Sequence, residues 1–533
     1  MKLPLHPVFV LLPTLLGPKA AALEIRVFNA AVHDRFTNFD TAPPVMNPGF
    51  LYDPLKFTGV GWNSTQAHKQ FALVSPLHFL ASKHNPPNVG HVIKFVAADG
   101  SVVQRNCTSV TVIQADDPGA TDLALCTLGA PVPANVKPLP YLNLPDTSNY
   151  IGRDLMVFGH GVAAGTVLRA GHGEISDIDD LDPDVAGEVY GTNRLMEFIY
   201  SGTGTDPDDA YVTLGDSGSP TFAEENNQPA LVGIHFYEQE EDGDHYNVDT
   251  FVPYYVPKLD LIMASTGYRV RPAIFTPTTL SFTPTYTPGT FFHVGEAASL
   301  GLALENTGVN LTGNFAVTLS FPGAQAPAAV TAAGCVVESV GSGVWSIRKA
   351  TVAAGEDIAI TASWTSVPEL TQITGSAVVE SDATTTATYP LSIPAAMTYA
   401  EWAQGLSEDE QADDPDKDRL ENALEYAFGS DAESGFTNFP GGEANQPRME
   451  FVGGTTVRFS YPERVNASLL GLSYQVEMTP GFAPGPWVMT LPVGASTTSQ
   501  PFVPAVPGFV KRVITWPLDT PVKGARVRVT LAE

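Results

Sequence analysis

Apolar and polar residues alternate along most of this chain, in short runs broken by glycine, proline and asparagine. Alternation sends every second side chain to one face, which is what a half-buried strand requires. Residues 71–74 read as a buried strand, Ser75-Pro76 as a turn, 78–80 as a second strand and 101–113 as a longer extended segment. The same pattern continues from Glu24 to about Ser265, where residues 258–264 read as a short helix. Proline and threonine then crowd residues 271–288, the composition of a stiff connector. Alternation resumes over 289–396, clearest at 299–305, 315–321 and 358–364, and predicts an immunoglobulin-like sandwich. The period lengthens to a helical one at 399–406 and 420–428, inside a segment spanning 397–440, with Gly429 placed as a C-cap. Strands return in a last β unit, 441–533, at 455–461, 472–477, 511–516 and 525–531. The expected fold class is all-β, with one short helical, acidic segment.

One turn in the first unit carries chemistry. In Gly215-Asp216-Ser217-Gly218-Ser219-Pro220 a serine stands between glycines, where it can neither fill a core nor continue a strand. Such a turn can present the Ser217 hydroxyl with the N–H groups of Gly215 and Ser217 aimed at one point, an oxyanion hole. A hydroxyl needs a histidine base and a carboxylate behind it to act as a nucleophile at neutral pH. Upstream, Ser82-Lys83-His84-Asn85 ends a small-residue turn after the second strand, and Thr121-Asp122-Leu123-Ala124-Leu125 follows.

These segments resemble the histidine and aspartate elements of trypsin-like serine proteases, and the order His84, Asp122, Ser217 is the chymotrypsin order. The cysteine that usually follows the histidine is replaced by Asn85. The resemblance covers about residues 23–270 and implies a double β-barrel with a His84–Asp122–Ser217 triad. It implies that the strand holding Ile234, His235 and Phe236 lines the primary pocket, and that residues 251–262 are a final strand leading into a helix. Tyr211, six residues before Ser217, falls at the pocket base, with Asp249 on a bordering strand. Asp249, Asp208 or Asp209 could restore a negative charge there; small or apolar side chains are otherwise expected to be preferred. The resemblance also implies that Asp216 pairs with a new N-terminal ammonium, yet no Ile-Val-Gly-Gly stands near residue 23. His78 and His91 are read as non-catalytic, and His160 and His172, each in a Gly-His-Gly turn, as polar turn residues, since no pair has zinc-site spacing.

Composition narrows the function classes. The formal charge of −29 argues against nucleic acid as a partner and mildly favours cationic substrates; the resemblance implies a protein or peptide substrate. Met1-Lys2, a largely apolar stretch and Lys19-Ala20-Ala21-Ala22 read as a signal peptide of residues 1–22, hence a secreted protein without a membrane span. With three cysteines the chain is no disulfide scaffold; Cys107 and Cys126 could meet across neighbouring strands, as one bridge or as two thiols. No cofactor is expected for catalysis. A structural calcium is expected at Asp414, Asp416, Asp418, the Leu420 carbonyl, Asn422 and Glu425, which hold loop positions one, three, five, seven, nine and twelve. Arg419 stands where glycine usually permits the sharp turn. This run resembles an element near the C-termini of secreted proteins from Verrucomicrobia and related bacteria. The competing view of the whole chain is a catalytically silent, protease-like binding or adhesion protein.

Overall fold

A computed structural model describes residues 23–532 apart from 40–42, 161–167, 186–187, 286–290, 369, 405, 417–419, 431, 433–438, 440–444, 481–486, 504–505, 507 and 523. The expected signal peptide lies outside the described residues.

Two closed barrels form the first half. The first joins Val60–Asn63, Gln70–Leu73, His78–Ser82, Ala120–Leu128, Val102–Gln114 and Val92–Val96 in that spatial order. The second joins Asp154–His160, Leu168–Leu181, Asn193–Tyr200, Asp244–Phe251, Gln228–Glu241 and Pro220–Glu225. Closure removes the free edges that alternating strands would otherwise expose. One hydrophobic cluster runs through both barrels, with Val60, Leu80 and Leu125 from the first and Phe158, Phe222 and Leu231 from the second. The barrels therefore share a core.

The stretch expected to be a final strand turns helical at once. The strand Asp244–Phe251 ends at Phe251 and the helix Val252–Met263 begins. Pro253 lies in its first turn, where a missing N–H costs nothing. Val252, Tyr255, Val256, Leu259 and Met263 are buried in the shared core, a helical and not an alternating spacing.

The connector is shorter than its composition suggests. Leu280–Thr285 is a strand paired with Ala298–Asn306, at the edge of a four-stranded sheet completed by Asp357–Trp364 and Ala329–Ala332. A six-stranded sheet faces it, and Leu300, Leu302, Leu304, Phe315, Val317, Leu319, Ile358 and Ile360 fill the space between. Arg269 ties the first half to this sandwich, donating its backbone N–H to Asn314 Oδ1 at 3.0 Å and its Nε to Asp382 Oδ2 at 3.4 Å.

Beyond the sandwich, Thr398 caps the helix Tyr399–Trp402 in a reciprocal capping box with Glu401. The helix Asn422–Phe428 ends at Gly429, whose φ of +77° makes it the left-handed C-cap. The last unit is a four-stranded sheet of Arg448–Val452, Thr456–Arg464, Phe509–Pro517 and Ser496–Gln500, beside the pair Leu472–Thr479 and Gly524–Leu531.

Candidate active site

The first barrel delivers the histidine and the aspartate together. His78–Ser82 pairs with Ala120–Leu128 so that Ser82 faces Leu123, and the next residues out bring His84 onto Asp122. His84 donates its backbone N–H to Asp122 Oδ1 at 2.9 Å, and its ring Nδ1 meets Asp122 Oδ2 at 2.8 Å. One carboxylate thus fixes both the main chain and the ring of His84, leaving Nε2 as the nitrogen not used by Asp122. Asp122 is wholly buried. Burial pushes its carboxyl pKa up, and the hydrogen bonds and charge of His84 oppose that rise. Asn193, also buried, accepts the Asp122 backbone N–H on its side-chain oxygen at 3.2 Å and donates to Gly191 O at 2.6 Å.

The second barrel delivers the serine turn. Gly215 and Gly218 have φ of +110° and +89°, which L-residues rarely adopt. Space forbids side chains there as well. A Cβ on Gly215 would lie 2.8 Å from His160 Cε1, and one on Gly218 would lie 3.2 Å from Ser82 N. Gly218 N–H donates to His235 O and His235 N–H to Ser219 O, each at 3.0 Å, which anchors the turn to the strand Gln228–Glu241. Ser219 N–H donates to Asp216 O at 2.9 Å, closing the turn. Among the described residues, the N–H groups of Gly215 and Ser217 have no hydrogen-bond partner. Asn85, next to His84, donates Nδ2 to Ser217 O at 3.4 Å and so links the two barrels at the turn. His84 and Asp122 are thus paired directly, and Ser217 is joined to the residue after His84 at the junction of the barrels.

Aromatic rings wall this junction. Phe236 lies 5.9 Å from the His84 ring, with Tyr190 at 4.9 Å and Tyr237 at 5.0 Å from Phe236. Lys83 Nζ sits 4.2 Å over the Tyr190 ring. Leu214, which precedes Gly215, is 88% exposed at the rim.

Several expected pocket residues take other roles. His235 and Asp249 are buried and paired, ring Nδ1 to Oδ1 at 2.6 Å. The His235 Nε2 meets Phe158 O at 2.8 Å, and Thr221 Oγ1 donates to Asp249 Oδ2 at 2.6 Å. Neither residue offers a free group to a substrate; together they brace the strand behind the turn. Ile234 is wholly buried in the shared core. Tyr211 is half-buried, stacked on the His245 ring at 3.6 Å and 10°. Asp208 is bound to His33 and Asp209 to Arg26, each at 3.0 Å. The carboxylates considered for the pocket are thus engaged elsewhere, because each neutralises a nearby cation or histidine.

His160 is no mere turn residue. Its ring Nδ1 lies 2.6 Å from Asp216 Oδ1. His78 is held by Ser75 Oγ at 2.7 Å, and burial drives its pKa down to about 4. His91 meets Asn63 at 2.8 Å, and His172 pairs with Asp206. Sequence reasoning missed Asn85, His160 and Asn193 as supports of the site. Only Asn85 carries a local signal, since it occupies the position of the usual cysteine.

Cys107 and Cys126 are buried free thiols rather than a bridge. Cys107 donates to Ser109 O at 3.5 Å, and burial pushes the Cys126 thiol pKa up. In the acidic segment, Asn422 and Glu425 are wholly buried, whereas Asp414, Asp416 and Leu420 are half-buried; Asp418 lies outside the described residues. Asn422 donates Nδ2 to the carbonyls of Glu408 and Glu410 at 2.9 and 3.0 Å, which turns its Oδ1 away from them. Among the described residues no three His, Cys, Asp or Glu side chains gather as a metal site would require. No described helix is long and apolar enough to cross a membrane.

No family model matches this sequence, and no curated protein matches it. Among solved structures the chain is similar to the secreted serine protease VesC from Vibrio cholerae, at 11% identity, with 89% of this chain and 96% of that one covered and a TM-score of 0.30. It is also similar to the Vibrio cholerae VesB protease, at 13% identity, with 63% and 94% covered and a TM-score of 0.28.

Proposed function

We propose that this chain is a secreted serine endopeptidase acting through His84, Asp122 and Ser217. The observation that carries the reading is the convergence, from two different barrels, of a carboxylate-held histidine and a glycine-flanked serine turn. Ser217 attacks the scissile carbonyl while His84 takes its proton. The N–H groups of Gly215 and Ser217 receive the oxyanion, and His84 returns the proton to the leaving amine. Asp122 keeps the imidazole in the tautomer that frees Nε2 and stabilises the imidazolium. Water then repeats the sequence on the acyl-enzyme. Filling of the charged-pocket positions by internal pairs supports small or apolar residues at the cleavage position over lysine and arginine.

Residues 1–22 support export, and the acidic segment supports a structural calcium. There Asn422 Oδ1, buried and without a hydrogen-bond partner, and the buried Glu425 carboxyl would serve beside Asp414, Asp416 and, by spacing, Asp418.

Turnover of a peptide library tests the enzymatic reading. Ser217→Ala and His84→Ala should each lower kcat by on the order of 10⁴-fold or more, because triad members act as a unit. Near-wild-type turnover in either variant would refute the assignment. Absence of turnover in a folded wild-type chain would favour a silent binding protein.

A further inference from the structure

The nucleophile turn contains a second histidine–carboxylate pair that the proposed chemistry does not use. Asp216, between Gly215 and Ser217, is wholly buried. Its Oδ1 accepts the backbone N–H of His160 at 2.9 Å and meets the ring Nδ1 at 2.6 Å. Its Oδ2 accepts the Thr213 backbone N–H at 2.9 Å. Of the groups that fix this carboxylate, the His160 ring is one of the side chains, and it comes from the barrel wall rather than from a chain end. The same ring covers Gly215, whose added Cβ would strike His160 Cε1 at 2.8 Å. His160 thus contacts Gly215, which bears one oxyanion amide, and Asp216, which precedes the other.

The far side of His160 is also fixed. Leu23 donates its backbone N–H to His160 O at 3.0 Å, and its side chain is wholly buried. His68 lies 5.8 Å away, ring to ring, while Arg169 is engaged with Asp34 at 3.4 Å. Glycine at 215 can leave its φ of +110° at little steric cost. The turn would therefore swing its N–H away unless something pins Asp216 and blocks Gly215.

We propose that His160 is the positioning residue that holds the oxyanion turn in its working conformation, so that the turn needs no newly cut N-terminal ammonium at Asp216. This rests on the endopeptidase reading above. The pair fixes the turn as the barrel folds, and the Leu23 nitrogen reaches the His160 carbonyl rather than the Asp216 carboxylate.

The test uses the full chain and steady-state hydrolysis of a peptide substrate, with a matching peptide aldehyde as a probe of the oxyanion hole. His160→Ala should lower kcat about 10²-fold, the usual effect of losing one oxyanion donor, with KM changed less than about threefold. Aldehyde affinity should fall in parallel with kcat, while a cleaved product peptide binds as before. His160→Asn, which can place an N–H near the position of Nδ1, should recover kcat to within about tenfold of wild type. A role in folding alone would lower the melting temperature without this split between kcat and KM. In a separate arm, a chain starting at Leu23 is compared with one carrying two extra residues before it. Equal kcat is expected. Loss of activity in the extended chain would overturn the proposal and assign the task to the Leu23 ammonium. Unchanged kcat in His160→Ala would also overturn it. If His160→Ala does not fold, His160→Asn and the extension arm still decide. A wild type without hydrolysis would instead refute the endopeptidase reading itself.

Discussion

His235 shows how a residue placed by its neighbours can lose the role its sequence position suggests. Both of its ring nitrogens are engaged, one by Asp249 and one by the Phe158 carbonyl. Burial disfavours its charge, but the Asp249 carboxylate and hydrogen bond outweigh that and raise its pKa above the ordinary 6.5. The folded chain therefore holds the proton more tightly than the unfolded chain. Stability from the pair is present in full below about pH 6.5 and is lost as pH rises through the higher folded value. Urea midpoints measured from pH 6 to 9 should fall across that window in the wild type. Asp249→Asn should cost about 3 kcal/mol at pH 6, the usual cost of breaking a buried pair, and should flatten the slope. Equal slopes in the two proteins would contradict a charged His235. Each member of the proposed triad sits in a local motif that can be read in the sequence. His160 was not legible in this way, because nothing in a Gly-His-Gly turn announces a partner 56 residues away. Asn193 was hidden for the same reason, its partner Asp122 lying 71 residues before it.

Among the elements, the helix Val252–Met263 carries a carboxyl at odds with its surroundings. Asp260 accepts the Val270 backbone N–H on Oδ1 at 2.7 Å. Burial raises its pKa to about 6, against the lowering effects of that hydrogen bond and of Arg269. A carboxyl raised in this way is protonated in the fold where it would be ionised when unfolded. Its contribution is full below about pH 3.8 and is lost as pH climbs through about 6. Asp260→Asn keeps an acceptor for Val270 and should add about 2 kcal/mol at pH 7 but nothing at pH 3.5. Thermal melts at both pH values would show it, and equal gains at the two would contradict it. The resemblance implies a final strand leading into a helix over residues 251–262, with the helix read only from 258, whereas it begins at Val252. Only its packing on the shared core shows the helical spacing. Over most strands the alternation was enough, as in the sandwich, where Leu300, Leu302 and Leu304 point inward on successive pleats. At the acidic element, chelation should lower the melting temperature of the C-terminal transition in the intact chain and leave peptide turnover unchanged. No shift on adding calcium to the chelated protein would leave Asp414–Glu425 as an ordinary solvated helix start.

For the molecule as a whole, composition does not show how the units join. Polar contacts at the junctions include Asn85 from one barrel to the serine turn of the other, and Arg269 from the first half to Asp382 of the sandwich. Polar residues this scattered show no period. The shared core joins the barrel that carries His84 to the one beside the Ser217 turn. The most direct measurement is therefore on the intact folded chain, treated with a fluorophosphonate, digested, and mapped by mass spectrometry. One adduct per chain on Ser217, lost in His84→Ala, is the expected result. No adduct on folded protein, or an adduct on a different serine, would contradict the assignment of His84, Asp122 and Ser217 as a catalytic triad.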